Sequence, residues 1–223
     1  PVMIEQHIMN NKPDVMIVCG YYRLLSARLL ENVTLGVWGI HNSLLPKYRG
    51  GSPLVWQLIN KEKVIGSSFF KFSNGMDDGV ILDQVKIDNA DKMTIGEASD
   101  SLERAWISKI PKIWSDFCKG DINPVEQNHS EASYCAQRQE TDGFIDWTLN
   151  AKDIDAFIRA QDTPYPRAFF KFNHKVVRIV DHSVDRREIF GTCGQVFQII
   201  DKSVVICCGD STAIQISKVL IDG

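Results

Sequence analysis

Two stretches of the chain carry residue types that can exchange protons and hold an anion. The first runs Gly36-Val-Trp-Gly39-Ile-His41-Asn42-Ser43-Leu-Leu-Pro46-Lys47-Tyr-Arg49-Gly50-Gly-Ser-Pro53-Leu-Val-Trp56. It is a polar, glycine-rich loop that leaves a short apolar run, and such a loop at the carboxyl end of a buried strand is where open α/β sheets bind their ligands. His41 stands at that edge. A lone histidine is usually a satisfied structural residue, but Lys47 and Arg49 on the same loop add cations for an anionic substrate. The second stretch, from Phe69 to Gln84, holds Asn74, Asp77 and Asp78 around Gly75 and Gly79. By itself it is an ordinary acidic turn between two strands.

The elements that must position these residues follow from the apolar pattern. The spacing predicts a helix over Val2 to Asn11 with Ile4 and Ile8 on one face, a buried strand over Asp14 to Cys19, a helix over Leu24 to Glu31, and a second buried strand over Leu35 to Ile40. Ser52-Pro53 reads as N-cap and first-turn proline of a helix reaching about Asn60. This alternation predicts a parallel sheet. Val64 to Phe72 and Gly79 to Ile87 read as strands around the acidic turn. Thr94 and Glu97 form a capping box before a helical stripe at Ile95, Ala98, Leu102, Trp106, Ile110, Trp114 and Phe117, where Pro111 is expected to introduce a kink.

From Lys119 to Arg138 the chain is polar and aperiodic, so a first domain over 1–120 and a linker over 121–138 are expected. A second domain over 139–223 opens with a short helix capped by Asn150. Five strand signals follow, Ala168 to Phe172, Val176 to Val180, Gln195 to Ile200, Val204 to Cys208 and Ala213 to Val219, and their spacing suggests a small OB-like barrel. The whole chain therefore reads as α/β followed by a β domain.

Composition narrows the function. The 223 residues are 44 % hydrophobic and 24 % charged, ordinary values for a globular chain. No apolar run approaches the ~18 to 20 residues that cross a bilayer, and the N-terminal residues lack the pattern of a secretory signal. Net charge is -3, which argues against a surface that holds a polyanion by phosphate neutralisation alone. The second domain is balanced as well, so nucleic acid is not the expected partner. The six cysteines form no C-x-x-C pair and no histidine stands at metal-ligand spacing; no metal is expected, and a reducing, cytoplasmic setting is.

Taken together the two stretches resemble the 10-formyltetrahydrofolate-dependent formyltransferase family, which includes methionyl-tRNA formyltransferase and the sugar N-formyltransferases. His41, then Ser43-Leu44-Leu45-Pro46, then Arg49-Gly50, then Gly66 and Asp77-x-Gly79 match the family's ordered blocks. Asp142-Gly143-Phe144-Ile145-Asp146-Trp147, Ile158-Arg159-Ala160 and Pro164-Tyr165-Pro166-Arg167-Ala168-Phe169 look like the start of its C-terminal domain. The resemblance implies a Rossmann-like catalytic domain, shortened at its N-terminus by about two strand-helix units or roughly 60 residues, before a small OB-like domain.

The same resemblance implies 10-formyltetrahydrofolate as cofactor and His41 and Asp77 as catalytic residues. In that scheme an amine attacks the formyl carbon, His41 assists at the oxyanion, and Asp77 orients the imidazole and helps receive the amine proton. The loop from Val18 to Leu25 would hold the pterin, with Tyr22, Arg23, Leu24 and Leu25 toward the cofactor and Asn74 and Asp78 closing the other side. Ser43, Lys47, Arg49 and Trp56 would face the acceptor. Pro53-Leu54-Val55-Trp56 is similar to members acting on nucleotide-linked amino sugars, so such a sugar is the expected acceptor, with methionyl-tRNA as the alternative and a homodimer implied by the sugar branch.

One position departs from the pattern. The family places Asn where Gly39 stands, and losing one oxyanion donor typically lowers a rate by about 10²- to 10³-fold. Either Asn42, Asn74 or a water substitutes, or the reaction tolerates the loss, or the chain is a hydrolase or an impaired folate binder. If the missing amide limits chemistry, Gly39→Asn is expected to raise the rate.

Overall fold

The structure is a computed structural model that describes residues 2–21, 25–89 and 93–222, with side chains described from residue 5 onward. Tyr22, Arg23 and Leu24, expected at the cofactor, and Ile4, expected on the first helix face, lie outside the described side chains. Two compact units are distinguished: one within 1–57, 63–89 and 99–137, the other within 58–62, 90–98 and 138–223.

The first unit opens with α1 (Val2–Asn11), which buries Ile8 and ends at Lys12 with φ 42° before Pro13. β1 (Met16–Val18) and β2 (Val37–His41) run parallel, with Val18 opposite Gly39. Between them lies α2 (Ala27–Glu31), capped by Ser26, whose side chain accepts from the Leu29 N–H. β2 is buried on both faces, as its continuous apolar run predicts.

After β2 the chain forms the short strand β3 (Arg49–Gly50) and α3 (Pro53–Ile59). Ser52 does not take the extended conformation of a capping residue; it sits at φ 52°. β4 (Val64–Lys71) and β5 (Ile81–Asp88) complete a sheet of order β1-β2-β4-β5, in which β4 is antiparallel to both neighbours. The parallel order expected for the sheet therefore holds for its first pair only. Residues 72–80 are too few to carry the helical crossover a parallel return requires, so β5 folds back as a hairpin.

α4 (Ile95–Lys119) starts at the predicted capping box, where the Thr94 N–H donates to Glu97 Oε2 at 2.8 Å. The helix runs on through Pro111. Beyond that proline the buried positions are Ile113 and Phe117, and Trp114, expected in the stripe, is half exposed. Trp106 and Phe117 cover one face of the sheet, Phe117 edge-on to Trp38 at 5.4 Å and Trp106 against Phe69 at 6.2 Å.

Of the stretch 121–138 read from sequence as a linker, residues 121–137 belong to the first unit and are hydrogen-bonded within it. Val125 and Ile81 exchange backbone bonds of 2.7 and 2.8 Å. β6 (Tyr134–Cys135) pairs in parallel with β3, Arg49 opposite Tyr134.

In the second unit Asn150 caps α5 (Ala151–Ala160) by accepting from the Asp153 N–H at 3.0 Å. β7 (Phe169–Phe172), β8 (Lys175–Asp185), β9 (Val196–Ile200), β10 (Ser203–Cys207) and β11 (Ala213–Asp222) form an antiparallel sheet of order β7-β8-β11-β10-β9. All five expected strands are present. Among the described residues no ladder joins β7 to β9, so the sheet is open rather than a closed barrel. Ile154 and Ile158 of α5 are buried against Ile179, Ile206, Ile214 and Ile216.

Candidate active site

His41 is the last residue of β2, and the loop that follows is fastened from below by buried polar side chains. Ser43, fully buried, donates to the Lys47 carbonyl at 2.6 Å. Ser68 donates to the Ser43 carbonyl at 2.6 Å and accepts from the Leu45 N–H at 3.0 Å. Gln57 donates to the Asn42 carbonyl at 2.6 Å and accepts from the Gly66 N–H at 3.0 Å. These bonds satisfy loop backbone groups that burial would otherwise leave unpaired. Gly66 is dictated by packing, since a Cβ there would lie 2.4 Å from Leu44 and 2.6 Å from the Val85 carbonyl.

So fixed, the loop returns its backbone to the histidine. His41 is 9 % exposed, and its Nε2 lies 2.7 Å from the Tyr48 carbonyl. A carbonyl only accepts, so Nε2 carries the proton of that bond. Nδ1 faces Asp77 Oδ2 at 3.6 Å, beyond hydrogen-bond reach, and is left uncommitted. Phe70 stands edge-on to the imidazole at 6.2 Å.

Asp77 reaches this point because its turn is left-handed, at φ 50°. Its Oδ2 accepts the Gly50 N–H at 2.8 Å, tying the turn to the loop that holds His41. Gly79 admits no side chain, for a Cβ would lie 1.9 Å from the Lys71 carbonyl. Asp78, expected to face the cofactor, accepts a hydrogen bond from Ser73, whereas Asn74 is exposed. Next to Asp77, burial first and the Asp77 charge second push the Cys135 thiol up to about 11. That thiol stays protonated at neutral pH and is no rival nucleophile.

An apolar path leads away from the imidazole. Phe70 stacks on Phe72 at 5.0 Å, and Phe72, Tyr21 and Leu25 are half-buried against a cluster that includes Val18 and Leu29. Leu25, expected toward the cofactor, lies in this set beside Phe72. Half-buried apolar faces beside the backbone leaving β1 suit such a ring, which needs covered faces and a polar edge.

Other expected contacts are placed differently. Arg49 is buried, 2 % exposed, and its Nε and NH2 donate to Gln127 Oε1 at 3.2 and 2.7 Å. It also reaches His129 Nδ1 at 3.1 Å and the Tyr134 hydroxyl at 3.4 Å. A guanidinium so engaged builds the loop and is not presented to a ligand, and the same holds for the Ser43 hydroxyl. Trp56 donates its indole N–H to the Ala136 carbonyl at 2.8 Å. Lys47 is exposed.

The structure also answers the Gly39 question. A Cβ at that position would lie 2.8 Å from the Val18 carbonyl and 2.5 Å from the Phe72 ring, so asparagine does not fit without moving β1, and the expected gain from Gly39→Asn is withdrawn. Asn42 does not substitute: its Oδ1 accepts from Ser67, which also receives the Trp106 indole, on the sheet face covered by α4. Sequence reasoning missed Gln127, the Tyr48 carbonyl and the Gly50 N–H, because backbone groups have no signature and Gln127 lies in an aperiodic stretch.

Comparison with known proteins gives the same frame. A family model described as formyl transferase matches residues 3–111, and one described as formyl transferase, C-terminal domain, matches residues 138–223. A methionyl-tRNA formyltransferase from Clostridium novyi is 31 % identical over 94 % of this chain and 67 % of its own length. Across similar relatives of that description the chain spans 60 to 67 % of their length. HypX from Aquifex aeolicus, solved with tetrahydrofolic acid, shares the fold at TM-score 0.76 and 19 % identity over 98 % of this chain and 38 % of its own. An N-formyltransferase from Helicobacter canadensis, solved with folinic acid and dTDP-3-aminofucose, does so at TM-score 0.69 and 18 % identity over 91 % and 72 %.

Proposed function

The chain belongs to the formyl transferase family, and from that premise we propose that it transfers a formyl group from 10-formyltetrahydrofolate to the amine of a nucleotide-linked amino sugar. The observation that carries the reading is the meeting of His41 and Asp77, from distant turns, at the head of the Phe70-Phe72 path. The folate supplies an electrophilic formyl carbon. Asp77 holds Oδ2 against the Gly50 N–H and keeps Oδ1 to accept the proton an attacking amine must lose. His41, braced through Nε2, acts here as the imidazolium: its Nδ1–H holds the oxygen that gains charge and is then given to the departing folate nitrogen. The proton lost by the amine stays on Asp77 Oδ1 and restores His41 after release. With residue 39 closed to a side chain, His41 is assigned as the donor there, and Asn74, exposed on the turn that carries Asp77, as the side-chain amide that could join it.

Tyr22, Arg23, Leu24, Leu25, Asn74 and Asp78 are assigned to the folate. Lys47, exposed on the loop beside the site, is assigned to the acceptor's phosphate, with Trp56 at the edge. Arg49 and Ser43 act by shaping that loop. The net charge of -3 favours a small acceptor over a polyanion; the similarity to methionyl-tRNA formyltransferases supports methionyl-tRNA as the second reading.

The test is tetrahydrofolate release from 10-formyltetrahydrofolate alone, with dTDP- or UDP-amino sugars, and with methionyl-tRNA. Release that requires the sugar is expected. Release that requires only the tRNA selects the second reading, release with water alone marks a hydrolase, and folate binding without release overturns transfer.

A further inference from the structure

We infer that Gln127 is the positioning residue that sets Asp77 against His41, an inference that rests on the transfer reading. Gln127 belongs to the segment after α4 that sequence periodicity leaves blank, yet it is 5 % exposed and its amide is saturated. On one side Oε1 accepts from Arg49 Nε and NH2 at 3.2 and 2.7 Å. On the other, Nε2 donates to the carbonyls of Asp77 and Gly79 at 2.8 and 2.7 Å. One side chain thus joins the loop residue whose neighbours Tyr48 and Gly50 bond His41 and Asp77 to the backbone of the turn that carries Asp77.

The chemistry requires an amide. The group must accept twice from a guanidinium and donate twice to carbonyls; a carboxylate cannot donate, an ammonium cannot accept, and among buried side chains only glutamine or asparagine does both. The left-handed backbone at Asp77, φ 50°, is a conformation that surrounding contacts must hold. The two carbonyl bonds from Gln127 hold it at both ends. Releasing them lets the turn relax, and Asp77 Oδ2 leaves the position from which it faces both Gly50 N–H and His41 Nδ1. Gln127 touches neither reacting atom; it acts through Asp77.

Gln127→Glu separates this role from packing. The carboxylate keeps and strengthens the bonds from Arg49 but can no longer donate to the turn. Turnover with the acceptor found active for the wild-type chain, and the imidazole nitrogen resonances of His41, are measured on the full chain. We expect kcat to fall by about 10²-fold, the usual consequence of displacing a reacting group by an ångström, with a far smaller change in KM for the folate and with a shifted His41 Nδ1 resonance. Unchanged kcat, or a fall in kcat without a shift at His41, overturns the inference. If the wild-type chain releases no tetrahydrofolate with any acceptor, the transfer reading fails, and the His41 shift in the variant still decides whether Gln127 sets the turn. Should the variant not fold, hydrogen exchange of the Gln127 side-chain amide in the wild-type chain decides instead: slow exchange supports the bridge and exchange at the rate of a free amide overturns it.

Discussion

Each unit contains a histidine facing an aspartate, and the two pairs are built to opposite ends. In the second unit His182 Nε2 lies 2.9 Å from Asp155 Oδ1, and Arg159 donates to the other oxygen at 3.0 Å from the same helix, α5. Burial would raise the Asp155 carboxyl, but the His182 hydrogen bond and the Arg159 charge outweigh it and hold the group below its ordinary value. Both oxygens are used. In the first unit His41 and Asp77 stand at 3.6 Å, one backbone N–H binds Oδ2, and no cation backs the carboxylate at hydrogen-bond distance among the described residues. A closed pair is committed to the fold, whereas a pair left open by under an ångström keeps proton-bearing atoms for a ligand.

That contrast can be broken by substitution. The largest effect is expected on turnover: His41→Ala and Asp77→Asn each lower kcat by about 10²-fold or more. Asp77→Asn holds the thermal midpoint, and His41→Ala loses no more stability than the ~1 to 3 kcal/mol of the Tyr48 carbonyl it leaves unpaired. The double variant loses little more activity than either single one, as residues acting as a unit do. A midpoint that falls with the rate in Asp77→Asn would make the first pair structural like the second. Next is Gly39→Asn, whose Cβ meets the Val18 carbonyl and the Phe72 ring; overpacking of this kind costs about 2 to 3 kcal/mol, read by denaturant unfolding, and a stable, faster variant would refute the crowding.

Third, His182→Ala removes the partner of a half-buried carboxylate and is expected to cost about 2 kcal/mol with turnover unaltered, in contrast to His41→Ala. The sign with pH follows from the lowered folded-state value of Asp155. Its contribution is present above the unfolded value of about 3.9 and is lost as pH falls through the lower folded value. The stability gap between wild type and Asp155→Asn is therefore expected to be constant near neutrality and to close below about pH 4; a gap that persists in acid would remove the ion pair from the account. The smallest effect belongs to the surface. Glu140 pairs with Arg178 at 2.6 Å but is 59 % exposed, so Glu140→Gln is expected to change stability by less than about 0.5 kcal/mol, and a larger loss would mean that exposed pairs here rival the buried one.

Most of the fold and half of the site were legible in the residue pattern. The five strands of the second unit, the Asn150 cap and the Thr94-Glu97 capping box were found from local periodicity and side-chain chemistry, which act over a few residues. That β4 runs antiparallel to β2 was not, because a strand's apolar run does not record which way its neighbour runs. Trp114 was misplaced because Ile113 and Trp114 both fall near the edge of the stripe that runs from Trp106 to Phe117, and it is Ile113 that is buried there. His41 and Asp77 were named from their motifs. Ser43 and Arg49 were read as ligand contacts because a hydroxyl and a guanidinium look the same in sequence whether they face solvent or close a buried loop.

The sequence alone determined the kinds of element, the family and the residues able to move protons, since these rest on side-chain identity at short spacing. Only the tertiary structure decided that Phe72 occupies the space beside Gly39, that Asn42 points to the wrong face, and that an amide from an aperiodic segment bridges loop and turn. Those facts depend on distances between residues tens of positions apart, and such distances are fixed by the packing of the whole unit rather than by any stretch of it.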